Sequence, residues 1–180
     1  MARTEMFTAY GGWLKPAASA ALAFSIVIGP TSSQGVSEVP GFFAQMEGSW
    51  RGEGSLTLSD GASERIRCRA DYLVEQNGHK LQQDMRCASD SYTMNVLSDL
   101  TYKPDAGIVT GSWEETSNGF KGLVTGPAKD GHMKAWVVGK NFRAELAVVT
   151  WGNNQTVTIR PQQLEVTEVA VKMKRDPTKS

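Results

Sequence analysis

The segment RIRCRADYLVEQNGHKLQQDMRC, residues 65–87, decides the fold. At its centre stands Asn77-Gly78, the dipeptide favoured in two-residue type I′ hairpin turns because both central residues must take positive φ. Reading outward from that turn, Gln76 faces His79, Val74 faces Leu81, Ala70 faces Met85, and Cys68 faces Cys87. Strand side chains alternate between the two faces of a sheet. Arg65, Arg67, Arg69 and Asp71 therefore fall opposite the cysteines, together with Lys80, Gln82, Asp84 and Arg86. One face of this hairpin is apolar and the other is charged.

The neighbouring turns extend the same pattern in both directions. Ser89-Asp90 sets Cys87 against Tyr92 and Met85 against Met94, and the loop at residues 104–107 sets Tyr102 against Val109 and Ser98 against Trp113. Asn118-Gly119 places Trp113 opposite Val124. Gly139-Lys140 places Val137 opposite Phe142 and Met133 opposite Leu146, and Asn153-Asn154 places Val148 opposite Ile159. A loop at residues 60–62 lines up Leu56 with Ile66 and Trp50 with Tyr72, and Thr167, Val169, Val171 and Met173 continue the alternation. Local turn residues thus agree on a single inner face.

Counted from Trp50, this gives about ten antiparallel strands in meander order. So long a meander curls under its right-handed twist and leaves two exposed edges unless they meet, so the reading is all-β: an up-and-down meander closed into a small barrel. A two-sheet sandwich is the rival architecture. The inner face carries Trp50, Tyr72, Tyr102, Trp113 and Phe142 among aliphatic residues, and these five are the candidate ligand-binding side chains. It also carries Gly52, Gly54, Gly111, Gly122, Gly126 and Gly131, which either permit sharp strand coiling or leave space unfilled. A barrel of this size encloses a ligand cavity or is filled by its own side chains. Gln83 and Glu115 are the polar residues of the inner face that could orient a ligand near a rim. On the outside, Lys134 faces Glu145 and Trp136 faces Arg143 as cross-strand pairs; Trp136 and Trp151 are candidates for a protein-binding patch.

The chain has 180 residues, 40% hydrophobic and 21% charged, which suits one folded domain rather than a disordered chain. Its 19 basic residues are balanced by 19 acidic ones, so it lacks the cationic excess on which nucleic-acid binders depend. The 18 glycines follow no collagen-like period and suit many tight turns. Near the N-terminus, Arg3 and Lys15 precede an apolar run of 13 residues, 16–28, that ends at Gly29 and Pro30. This is a signal-peptide layout, too short for a membrane span. Ser33 and Gly35 place cleavage before Val36, leaving 17 basic and 18 acidic residues. The expected organisation is a leader at 1–35, a segment with a short helical turn at 36–47, the barrel at 48–175 and a tail at 176–180. The expected location is periplasmic or secreted, with no membrane span in the mature form. In that oxidising setting Cys68 and Cys87 are expected to form a disulfide. A two-residue turn puts them at a hydrogen-bonded site, where a small bulge would relieve the bridge.

Residues 40–50, PGFFAQMEGSW, read as a short helical turn leading into a strand that opens with Gly48-Ser49-Trp50. This resembles the start of calycin-type barrels, the group of lipocalins, fatty-acid-binding proteins and avidins. As architecture, the resemblance spans residues 42–173; the Thr-Asp-Tyr element of lipocalins has no counterpart. It implies a small apolar or aromatic ligand in the lumen. It also implies that Trp50 packs across the closed end against a basic side chain from a late strand, with Arg160 and Arg175 as candidates. A second resemblance is to secreted single-disulfide barrels that inhibit proteases or lysozyme, for which residues 36–40 would form the N-terminal strip.

Catalytic signatures are missing from the sequence. It contains no Gly-x-Ser-x-Gly, phosphate-binding glycine loop or His-Glu-x-x-His. His79 and His132 are too few to hold a metal by several imidazoles, although either could ligate a haem axially. Glu114 and Glu115 are adjacent in a strand and point to opposite faces. Asn154-Gln155-Thr156 matches a glycosylation acceptor within a turn. The sequence therefore reads as a non-enzymatic exported barrel, with no assigned metal or cofactor, that binds a small hydrophobic ligand. The alternative is an envelope interaction protein or inhibitor acting on a protein partner through its rim.

Overall fold

The computed structural model describes residues 39–177. The expected leader, its cleavage point and residues 178–180 lie outside these residues. Ten strands follow in order: β1 (Gly48–Leu58), β2 (Ser63–Glu75), β3 (Lys80–Ala88), β4 (Thr93–Lys103), β5 (Ile108–Glu115), β6 (Phe120–Lys129), β7 (His132–Gly139), β8 (Phe142–Trp151), β9 (Asn154–Pro161) and β10 (Val166–Arg175). Each pairs antiparallel with the next, and β10 pairs back onto β1 through Gly52↔Met173, Gly54↔Val171 and Leu56↔Val169. The sheet closes on itself, so it is a barrel and not a sandwich, and neither terminal strand is left as an unpaired edge.

The β2–β3 hairpin has the expected register, with Val74↔Leu81, Ala70↔Met85 and Cys68↔Cys87. Its turn carries positive φ at Gln76, Asn77 and Gly78. The β4–β5 hairpin, Tyr102↔Val109 and Ser98↔Trp113, also matches. Five other turns sit two residues away in register. Trp113 faces Gly122 rather than Val124, Cys87 faces Met94, and Val137 faces Ala144. Val148 faces Val157 and Leu56 faces Glu64. A slip of two keeps every side chain on its face, so the inside-outside assignment is unaffected.

Trp50, Leu56, Ile66 and Val109 are fully buried within the wall. The inner-face glycines serve close strand approach, not empty space. A Cβ on Gly54 would lie 1.8 Å from the Ala170 carbonyl oxygen, and one on Gly122 1.8 Å from that of Val138. Outside, Trp136 pairs with Glu145, and Lys134 with Ala147. The Arg143 guanidinium nevertheless covers the Trp136 ring diagonally at 4.0 Å.

One end of the barrel is sealed by the segment before β1. It forms two successive turns, Ala44 N–H to Gly41 O (3.1 Å) and Met46 N–H to Phe43 O (2.7 Å), rather than a regular helix. Gly41 and Phe43 donate to the carbonyls of Asn77 and Gly78 at 2.8 and 3.0 Å, pinning this segment to the β2–β3 turn. Phe43 and Met46 are thereby buried beneath it. The indole N–H of Trp50 donates to the Met46 carbonyl at 2.8 Å. Arg175 lies over the Trp50 ring at 4.7 Å and donates to the carbonyls of Gln45 and Glu47. Of the two basic candidates, Arg175 is the one at Trp50; Arg160 instead pairs with Glu168 on the outer surface at 2.8 Å.

Candidate functional site

Above this seal the wall encloses a cavity of about 410 Å³. Met85, Met94, Phe142, Leu146, Val157 and Ile159 face it, and all are only partly buried despite pointing inward. The mouth lies at the opposite end, where Tyr92, Asn118, Phe120 and Leu164 reach the cavity from the connecting loops or from strand ends beside them. Phe120 is 45% exposed and stacks on Phe142 with centroids 6.2 Å apart. A greasy lip therefore continues the apolar lining to the surface.

Three of the five expected ligand-binding residues, Tyr72, Trp113 and Phe142, line this cavity, with Trp113 and Phe142 at 5.1 Å between centroids. Trp50 and Tyr102 do not. Trp50 is fully buried in the seal. Tyr102 sits at the closed end between Phe42 (5.8 Å) and His79 (6.2 Å). Both have the inward parity of the others but lie too near the closed end to reach the open space.

The polar groups inside form three sets. Tyr72 donates its hydroxyl to Gln155 Oε1 at 2.8 Å, and Gln155 Nε2 donates to Thr150 Oγ1 at 3.1 Å. All three are buried. Burial pushes the Tyr72 phenol well above the ordinary tyrosine range, more than its bond to Gln155 pulls it down, so it stays neutral. Sequence reasoning missed Gln155 and Thr150. Their inward parity with Val157 and Val148 is the available signal, which the glycosylation triplet at residues 154–156 does not carry.

Glu115 forms the second set, at the mouth. Its carboxylate accepts N–H bonds from Asn95 (3.0 Å), Ser117 (3.0 Å) and Asn118 (2.7 Å), plus the Asn118 side-chain amide (2.9 Å). Burial raises its pKa, and these bonds together outweigh that and hold it below the ordinary carboxylate range. By capturing the amides of residues 117 and 118, Glu115 fixes a four-residue β5–β6 loop where Asn118-Gly119 alone suggests two. The third set is Gln83, Ser98 and Trp113, which all line the cavity. The Trp113 indole Nε1 is buried and has no acceptor among the described residues.

Cys68 and Cys87 form a disulfide with Cα atoms 4.1 Å apart, near the mouth. The β2–β3 register runs without a bulge past the pair. His79 and His132 each place Nδ1 at 2.9 Å from a turn carbonyl, of Gln76 and Asp130, and neither lines the cavity. A second depression, about 770 Å³ and broadly open, crosses the outer wall over β1 to β6. It contains the exposed side chains of Leu73, Leu97 and Leu123. Trp151, 79% exposed, stands apart from it. Among the described residues no helix is long and apolar enough to cross a membrane. No protein-family model matches the chain, and a search of curated proteins finds no match in sequence.

Proposed function

We propose that this protein is a non-enzymatic, exported binding barrel that holds a small, largely apolar molecule in its lumen. One observation carries the reading: Met94, Phe142, Leu146 and Val157 point inward yet remain partly exposed around about 410 Å³ of open space. Protein interiors are otherwise packed as densely as organic crystals, and this volume falls within the range of small-molecule sites. The wall is charged outside, with Arg65, Arg67 and Arg69 exposed, and apolar within. That is the reverse of a membrane-spanning barrel. The Trp50 and Arg175 contact across the closed end supports a calycin-like relationship, and the disulfide supports an oxidising, periplasmic or extracellular location.

Native mass spectrometry of the exported protein, followed by denaturing extraction, tests this reading. A stoichiometric mass excess released on unfolding supports it. A bare protein that also fails to bind neutral N-phenylnaphthylamine would overturn it. A second reading, an interaction protein, is favoured by Leu73, Leu97 and Leu123 on one open outer depression. It expects a protein to be retained in place of a small molecule.

A further inference from the structure

Resting on the lumen-binding reading, we propose that the ligand is uncharged and carries a carbonyl-type oxygen that docks on a belt formed by Gln83, Ser98 and Trp113. The belt follows from register. Gln83 of β3 pairs with Ser98 of β4, and Ser98 pairs with Trp113 of β5. Directly opposed side chains in antiparallel strands stand about 5 Å apart at Cβ. The three form one continuous row across adjacent strands, and all line the cavity.

The hydrogen-bonding capacity of the row is unspent. Among the described residues, no acceptor meets the buried Trp113 Nε1–H. Among the described residues, the Gln83 amide and the Ser98 hydroxyl have no side-chain hydrogen bond either. An indole N–H only donates, a hydroxyl offers one donor, and a primary amide offers two. The row therefore offers N–H and O–H donors beside the acceptor oxygens of Gln83 and Ser98, and its one buried donor without a partner, that of Trp113, carries a desolvation cost that an acceptor oxygen would relieve. Tyr72, the next residue along the row through Tyr72↔Gln83, is already committed to Gln155.

Charge then selects among oxygen-bearing ligands. Among the described residues, the cavity lining contains no lysine, arginine or histidine. Its carboxylates are Glu115, occupied by the β5–β6 loop, and Glu165, which accepts the Tyr92 hydroxyl at 3.0 Å. A carboxylate ligand would enter an apolar space with no counter-ion and two negative groups near the mouth, and leaving water on those terms is costly. Ketones, esters and neutral amides meet the belt without that cost. Fatty-acid anions do not.

The test is displacement of N-phenylnaphthylamine by three molecules of matched chain length: methyl nonyl ketone, n-undecane and undecanoate, at a pH well above the carboxylate range. In the wild type the ketone is expected to displace the probe at about a fivefold lower concentration than the alkane, the worth of one net hydrogen bond. Undecanoate is expected to be weakest. Trp113→Phe, Ser98→Ala and Gln83→Leu should each shrink the ketone's advantage over the alkane measured in the same variant; Ser98→Ala keeps the test available if a larger change misfolds. Preferential displacement by undecanoate, or a ketone advantage that survives all three substitutions, would overturn the belt while leaving the binding lumen intact. A wild-type protein that takes up no probe would overturn the lumen reading itself.

Discussion

The two ends of the barrel are built by different means. At the closed end, apolar burial and backbone bonds act together: Phe43, Met46 and Trp50 are buried, and Arg175 holds the segment before β1 across the floor. At the mouth, carboxylates hold the loops. Glu64 accepts the Ser91 N–H at 3.0 Å, Glu115 organises residues 117 and 118, and Glu165 accepts from Tyr92. Fixing loops by carboxylates leaves the space between them unfilled. Apolar packing thus closes the end where no ligand needs to pass, and the mouth retains an apolar entrance.

Substitutions at the two ends sharpen this contrast. Trp50→Ala should have the largest effect, about 4 kcal/mol, because it empties the floor and removes both the Met46 bond and the Arg175 contact. Thermal denaturation would show a fall in Tm of about 10 °C or more. Removing the disulfide with Cys68→Ala and Cys87→Ala, 19 residues apart, should cost about 3 kcal/mol. Probe affinity is expected to persist below the new melting point; a melting curve that does not move would show that the bridge holds nothing.

Glu115→Gln should cost about 2 kcal/mol at neutral pH, since charge-assisted bonds to three backbone amides are weakened. The sign of its pH dependence follows from the depressed folded-state pKa. The carboxylate's stabilisation is fully present above the unfolded value of about 4.3 and fades as the pH falls through the lower folded value. Denaturant unfolding of wild type and variant should therefore converge in acid. A gap that widens there would contradict the role assigned to Glu115. The smallest effect on stability, under about 0.5 kcal/mol, is expected for Phe120→Ser at the lip. Stopped-flow release of bound N-phenylnaphthylamine should nevertheless quicken, and an unchanged rate would place the exit elsewhere.

Most of this architecture is legible in the sequence, and the parts that are not share a cause. Residues 65–87 reveal their register because Asn77-Gly78 dictates backbone conformation locally, and residues 104–107 behave likewise. Elsewhere alternation fixes the face, but a turn can slide by two residues without disturbing that alternation. The β5–β6 loop slid because a strand residue, Glu115, captured its amides, a contact no turn dipeptide encodes. The same limit governs the site. Parity puts Tyr72, Trp113 and Phe142 inside, but Trp50 and Tyr102 share that parity, and depth along the barrel separates them. Gln83 is visible as an inward polar residue, whereas its alignment with Ser98 and Trp113 requires the strand pairing.

The most direct measurement is a fluorescence titration of N-phenylnaphthylamine into wild type and Val157→Trp. Val157 faces the cavity between Val148 and Val171, and a tryptophan there occupies the space from the wall inward. An accessible lumen gives saturable one-to-one binding in the wild type and at least about a tenfold loss in the filled variant, with a cooperative melt preserved. Equal binding by both proteins would put the probe on the outer wall and contradict the lumen as the site.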